Sequence, residues 1–215
     1  MSSVVISGDT SGSITLQAPA VAGSTTLTLP ATTATLATLT TPSFASTIGV
    51  GGATASASGA GITFPATQSA SSDANTLDDY EEGTFTPFLG GSGANPTGVT
   101  YVNQQGKYVK IGKQVTVSGI LSFTTYTGGS GSIQISGLPF TSANDGIAAW
   151  GSSMVEQVLL GVGKTFATSA ITPNTGSIIV VAGGSSANYD NLTFTAVASS
   201  GTTKYLTYGI TYFAN

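Results

Sequence analysis

From Thr10 to Ser72 the chain carries no charged residue. Over the whole 215 residues only 7% are charged, against a usual ~25%. Hydrophobic residues nevertheless make up 40%, enough for a packed core. Extended strands of this composition are poorly solvated on their own, so much of the surface is expected to be covered by other subunits. The uncharged stretch owes its polarity to Ser and Thr, which sets it apart from highly charged disordered chains. Abundant Thr and Val with 29 glycines suit strands joined by tight turns.

Residues 1–42 hold a loose repeat. Ser13-Ile14-Thr15-Leu16 leads to Pro19, Thr26-Leu27-Thr28-Leu29 to Pro30, and Ala34-Thr35-Leu36-Ala37-Thr38-Leu39 to Pro42. Apolar and polar residues alternate in each unit, the period of a strand with one buried face. Proline then ends the ladder. Strands this short cannot bury a face alone. Ile14, Leu16, Leu27, Leu29, Leu36 and Leu39 are therefore expected to meet other copies of the chain, either in an intertwined trimeric prism or shaft or as an arm that orders only on a partner. Residues 43–76 are rich in Gly, Ala, Ser and Thr and read as a flexible linker or a thin shaft.

Residues 77–215 read as antiparallel β throughout. Strands are predicted at 106–111, 114–123, 132–138, 147–155, 157–162, 165–171, 177–182, 192–197 and 204–213. Gly-rich turns lie at 126–131, 182–188 and 199–202. Short strands at this spacing predict a β-sandwich or jelly-roll-like knob. The fold class is thus all-β, with an N-terminal arm (1–42), a linker or shaft (43–76) and a C-terminal head (77–215). No helix longer than about two turns is expected.

The residue inventory removes several kinds of chemistry. Cys is absent, which excludes disulfides and thiolate metal sites. His is absent too, and with it the usual general base and the commonest metal ligand. There is no Arg, and the net charge is −4, which argues against a phosphate-backbone partner and hence against nucleic acid. No apolar run approaches the ~20 residues of a membrane helix, and the N-terminus lacks the pattern of a signal peptide. Asp78, Asp79, Glu81 and Glu82 are close enough in sequence to suggest Ca²⁺. They lack EF-hand spacing, however, and suit a solvated junction or ion pairs with Lys107, Lys110 or Lys113 of a neighbouring subunit. A glycosidase needs two facing carboxylates. Asp145, Glu156 and Asp190 are dispersed and without a flanking motif, so no catalytic residue, cofactor or metal is assigned and the chain is read as a non-enzyme.

Aromatic side chains remain. Trp150, Tyr126, Tyr189, Tyr205 and Tyr208 offer faces on which sugar rings can stack. Asn144, Asp145, Asn188, Asp190 and Asn191 offer polar groups for hydroxyls. Trp150, flanked by Ala148, Ala149 and Gly151, reads instead as a core or subunit-contact residue. Tyr189, in a Gly/Ser/Asn-rich turn, reads as exposed. The candidate receptor-binding set is Tyr126, Asn144, Asp145, Asn188, Tyr189 and Asp190.

Two stretches carry a resemblance. Leu77-Asp-Asp-Tyr-Glu-Glu-Gly-Thr-Phe-Thr-Pro87, followed by Val99-Thr-Tyr-Val-Asn-Gln-Gln-Gly-Lys-Tyr-Val-Lys-Ile-Gly-Lys-Gln-Val-Thr-Val-Ser-Gly119, resembles a module common in tail-fibre and other appendage proteins of tailed bacteriophages, cyanophages included. The segment from Ser11 to Pro30 is similar to one recurrent in fibre-like proteins of the same viruses. The resemblance implies a homotrimer in the virion, assembled in the host cytoplasm. Its N-terminal end would bind a baseplate, tail or capsid protein, and its C-terminal knob would contact a host-surface glycan or protein. A capsid decoration, cement or head-fibre protein bound to the major capsid protein is the rival expectation, and a cell-surface polysaccharide hydrolase a distant third.

Overall fold

A computed structural model describes residues 3–7, 13–17, 47–56, 58–68, 71–73, 75–184, 187–198 and 200–215. The chain divides into two compact units, Met1–Ala45 and Ser46–Asn215. In the first, strands β1 (Ser3–Ser7) and β2 (Ser13–Gln17) form an antiparallel pair that places Val4 opposite Leu16 and Ile6 opposite Ile14. The strand expected around Ile14 and Leu16 is therefore present, with a partner at Ser3–Ser7 that the repeat does not announce. Leu27, Leu29, Leu36 and Leu39 lie outside the described residues.

The second unit opens with a short parallel pair, β3 (Ile48–Gly49) and β4 (Ile62–Thr63), inside the stretch expected as linker or shaft. Its body is a ten-stranded sheet. The strands are β5 (Tyr80–Phe85), β6 (Phe88–Gly91), β7 (Thr97–Ile111), β8 (Gln114–Thr127), β9 (Ile133–Ser136), β10 (Ala149–Glu156), β11 (Phe166–Ile171), β12 (Ser177–Gly184), β13 (Ala187–Asn191) and β14 (Lys204–Phe213). Their order is β5-β7-β8-β14-β10-β11-β12-β9-β6, with β13 on the same edge of β12 as β9. Every pairing in this sheet is antiparallel. Among the described residues there is no α-helix, only a 3-10 turn at Phe194–Ala196.

The protein is all-β, as the alternating pattern predicts. In place of two stacked layers, one sheet curls so that its own walls face each other. The two end strands, β5 and β6, are separated in sequence by only Thr86 and Pro87, so the ends must come together. Side chains bridge that seam. The Leu89 N–H donates to the Tyr101 hydroxyl oxygen at 3.0 Å, and Gln104 Nε2 donates to Pro87 O at 2.9 Å. The enclosed core draws on both walls. Val115, Val117, Leu121 and Phe123 of β8 and Leu206 and Ile210 of β14 pack with Ile133, Ile178, Val180 and Leu89 from the other side. Each such side chain, fully withdrawn from water, contributes about 1.5–3 kcal/mol.

The long β7–β8 hairpin sets the register of one wall. It turns on Gly112 and Lys113 between the paired Ile111 and Gln114, and Gly112 sits at φ 55°, as a two-residue hairpin turn requires. Three expectations from the sequence change. Residues 157–162 form a loop between β10 and β11, with Gln157 at φ 59° and Gly161 at φ 95° breaking the extended backbone. Residues 192–197 are mainly the 3-10 turn. Conversely, Ala187–Asn191, predicted as the end of a turn, is strand β13, held by the free half of β12's edge.

Candidate functional site

Exposure alternates along β10: Trp150, Ser152, Met154 and Glu156 face out, while the residues between them are half-buried. Trp150 is 52% exposed, which corrects the reading of it as a core residue. It lies opposite Ala170 of β11. On β13, the pairing runs from Ala182 with Asp190 to Gly184 with Ala187, so Asn188 and Tyr189 together oppose the single Gly183. This is a β-bulge, a device that re-aims a side chain. Tyr189 is 66% exposed, and its ring meets the Trp150 indole edge-on, with centroids 5.6 Å apart and planes at 80°. The two rings span the strands between them, β11 and β12. There Ala170 and Val181, which register places on the outward side, are nonetheless only 5% and 2% exposed. Phe166 adds a third exposed ring, lying against Gly183, where a Cβ would come within 2.6 Å of it.

The polar side chains of β13 divide between its faces. Asn188, next to Tyr189, and Asn191, opposite Val181, are exposed, whereas Asp190 stands opposite the core residue Ala182 and is exposed on the other side of the strand. Lys164 Nζ lies 2.9 Å from Asp190 Oδ2, with the lysine side chain buried and the carboxylate largely in solvent. This ion pair is too exposed to contribute much stability. Its effect is local: it orients one carboxylate oxygen and leaves the other free to accept hydrogen bonds.

Other candidates fall elsewhere. Tyr126 is corrected: it is 7% exposed, packs edge-on against Phe123, and its hydroxyl reaches the carbonyls of Phe194 and Val197. It ties β8 to the 3-10 turn and is not free to meet a ligand. Tyr208 is buried as well, with a hydroxyl that has no partner among the described residues, and burial pushes its pKa up. Asn144 and Asp145 are exposed in the loop entering β10. Asp145 Oδ1 accepts the Ile147 N–H at 2.9 Å, closing a local turn. Asp145 borders a hollow of about 240 Å³ lined by Ile147, Ala149, Ile171 and Phe213, which neither Trp150 nor Tyr189 lines. Asp190 borders a different hollow, beside Leu159 and Leu192.

The four junction carboxylates are each engaged separately. Asp78 accepts the Ser71 N–H at 2.8 Å, Asp79 pairs with Lys110, Glu81 accepts the Tyr108 hydroxyl, and Glu82 accepts the Tyr80 hydroxyl at 2.8 Å. Among the described residues no group of three carboxylates could hold a metal ion. The hydrogen bond to Glu81, with some desolvation, raises the Tyr108 pKa to about 12. Lys110 and Asp79 are both buried, and Phe140 lies 5.5 Å from the ammonium. Lys204, also buried, donates to the Thr124 and Ser200 carbonyls at 2.8 and 2.9 Å, and desolvation lowers its pKa.

The sequence singles out Tyr189, Asn188 and Asp190 but does not join them to Trp150. The missing signal is the bulge, which depends on β13 pairing with β12. No described helix is long and apolar enough to cross a membrane. No protein-family model, curated protein or solved structure matches the chain.

Proposed function

We propose that the chain is a structural protein of a tailed-phage virion, a trimeric tail fibre whose C-terminal head binds the host surface. The observation that carries this reading is the exposed Trp150–Tyr189 pair. Two large aromatic side chains held in water without a covering group are costly, and contiguous exposed apolar surface marks an interaction site. Phe166 beside them and the amide groups of Asn188 and Asn191 make the surface suited to a sugar: ring faces stack on aromatics, and hydroxyls bond to the polar rim. The charge-neutral rim favours an uncharged glycan over an anionic one. Affinity per head would be weak, and three copies on one fibre would supply the avidity. The residues 77–119 resemblance and the apolar repeat of the arm support the virion setting.

Adsorption of particles carrying Trp150→Ala or Tyr189→Ala tests the reading. Incorporation should be normal and adsorption reduced, most strongly when both rings are removed. Val117→Asp, a charge in the core, should instead prevent incorporation. Unchanged adsorption by the double ring variant, with hundreds of copies per particle, would replace the fibre reading with capsid decoration.

A further inference from the structure

A second apolar stretch lies on the outward side of the other half of the sheet. Register assembles it: Tyr80 of β5 faces Ile111 of β7, Ile111 faces Gln114 of β8, and Gln114 faces Phe213 of β14. Val109 lies two residues back along β7. These four apolar side chains are between 38% and 59% exposed. Past Phe213 the surface continues into the 240 Å³ hollow and Ile147.

Three properties separate this stretch from the Trp150 surface. First, β5 ends the sheet. It pairs with β7 on one side and, among the described residues, with nothing on the other, so a row of backbone donors and acceptors is open to pairing or cover. Second, the patch carries uncompensated charges of both signs. Glu82 stands opposite Val109, Lys107 opposite Thr84, and Lys113 in the adjoining turn. Neither lysine is in an ion pair among the described residues. A surface with apolar residues at its centre and both signs beside them can complement another copy of itself. Third, β5 is the first strand of the sheet. Any association of the N-terminal arms therefore holds the β5 edges of neighbouring copies at high effective concentration.

We infer that this face, centred on Tyr80, Ile111 and Phe213, is where the heads of neighbouring copies of the chain pack, with Glu82 of one copy set against Lys107 or Lys113 of the next. The inference rests on the oligomeric reading above and adds to it: the heads touch, and do not merely hang from joined arms.

The absence of cysteine makes any introduced thiol unique. Ile111→Cys is compared with Met154→Cys, a 65% exposed position on the outward side of β10. Each full-length variant is treated with a bismaleimide and run on a denaturing gel, and its mass is measured by light scattering. The expected result is a covalent dimer for Ile111→Cys and none for Met154→Cys, with the dimer lost when Phe213→Lys is added. Overturning results are equal single-ended labelling of both thiols in a species of trimer mass, which would mean heads that stand apart, or a thiol at position 111 that is protected yet never crosslinked, which would mean cover by some other segment. A monomer by light scattering would remove the oligomeric reading itself.

Discussion

Lys110 and Asp79 are each 5% exposed, so water compensates neither charge. Removing one partner strands the other in a low-dielectric setting. Asp79→Ala should lower stability by ~3–5 kcal/mol, whereas replacing both residues with apolar ones of similar volume should cost far less. Urea unfolding of the single and double variants measures the difference. The tyrosines give a pH dependence. Tyr108 and Tyr212 both have pKa values raised to about 12, Tyr108 mainly by its bond to Glu81 and Tyr212 by burial, and Tyr208 is raised by burial as well. The unfolded chain loses these protons near the ordinary value of 10.0 while the folded chain keeps them. Their stabilisation is therefore complete below pH 10 and declines as pH rises toward 12. Tyr80 and Tyr126 are raised as well, so Lys204, lowered by burial, opposes this with one group against five. Thermal melts from pH 8 to 12 should show falling stability, with a shallower fall in Tyr212→Phe.

The strands are rich in glycine because aromatic rings from neighbouring strands occupy the space a Cβ would take. Gly83 pairs with Tyr108 and Gly106 with Phe85 across the β5–β7 ladder, and Gly119 pairs with Tyr208 across β8–β14. A Cβ on Gly106 would come within 2.4 Å of the Phe85 ring. Gly106→Val should therefore cost ~1–3 kcal/mol or more by overpacking, despite valine's preference for strands, and Phe85→Leu in the same chain should recover part of it. Chemical denaturation of the three proteins checks this. The same pairs mark what the sequence could reveal. Strands with strict alternation, such as the one from Gln114 to Phe123, were legible because period-2 burial needs no partner to be recognised. β5 and β6 were hidden because the acidic run read as a solvated junction. β13 was hidden because Ala-Asn-Tyr-Asp-Asn has turn composition and becomes a strand only through β12. The site was half legible for that reason: composition points to Tyr189 and Asp190, but only the bulge opposite Gly183 brings Tyr189 to Trp150.

At the level of the whole molecule, charge is low and two apolar surfaces are exposed. One of them, around Trp150, has a polar, charge-neutral rim suited to an uncharged glycan. The other, around Ile111, has an open strand edge and charges of both signs suited to a like surface. Light scattering of the full-length chain is expected to give about three times the 21.2 kDa monomer at micromolar concentration. Ile111→Lys with Phe213→Lys should make that species dissociate at a higher protein concentration than Trp150→Ala does. Dilution series followed by sedimentation would measure it.

The position of β14 has a consequence for how the chain is made. This strand comes last of the fourteen in chain order, yet it lies in the interior of the sheet, hydrogen-bonded to β8 on one side and β10 on the other. Until it emerges from the ribosome the two halves of the sheet meet only at the seam beside β6, and the core between them cannot close. Topologies dominated by such distant pairings form slowly. The arm, synthesised first, is available to other copies throughout that interval. Assembly would then begin at the N-terminal end and be locked, well after synthesis of the arm, by the insertion of a single C-terminal strand.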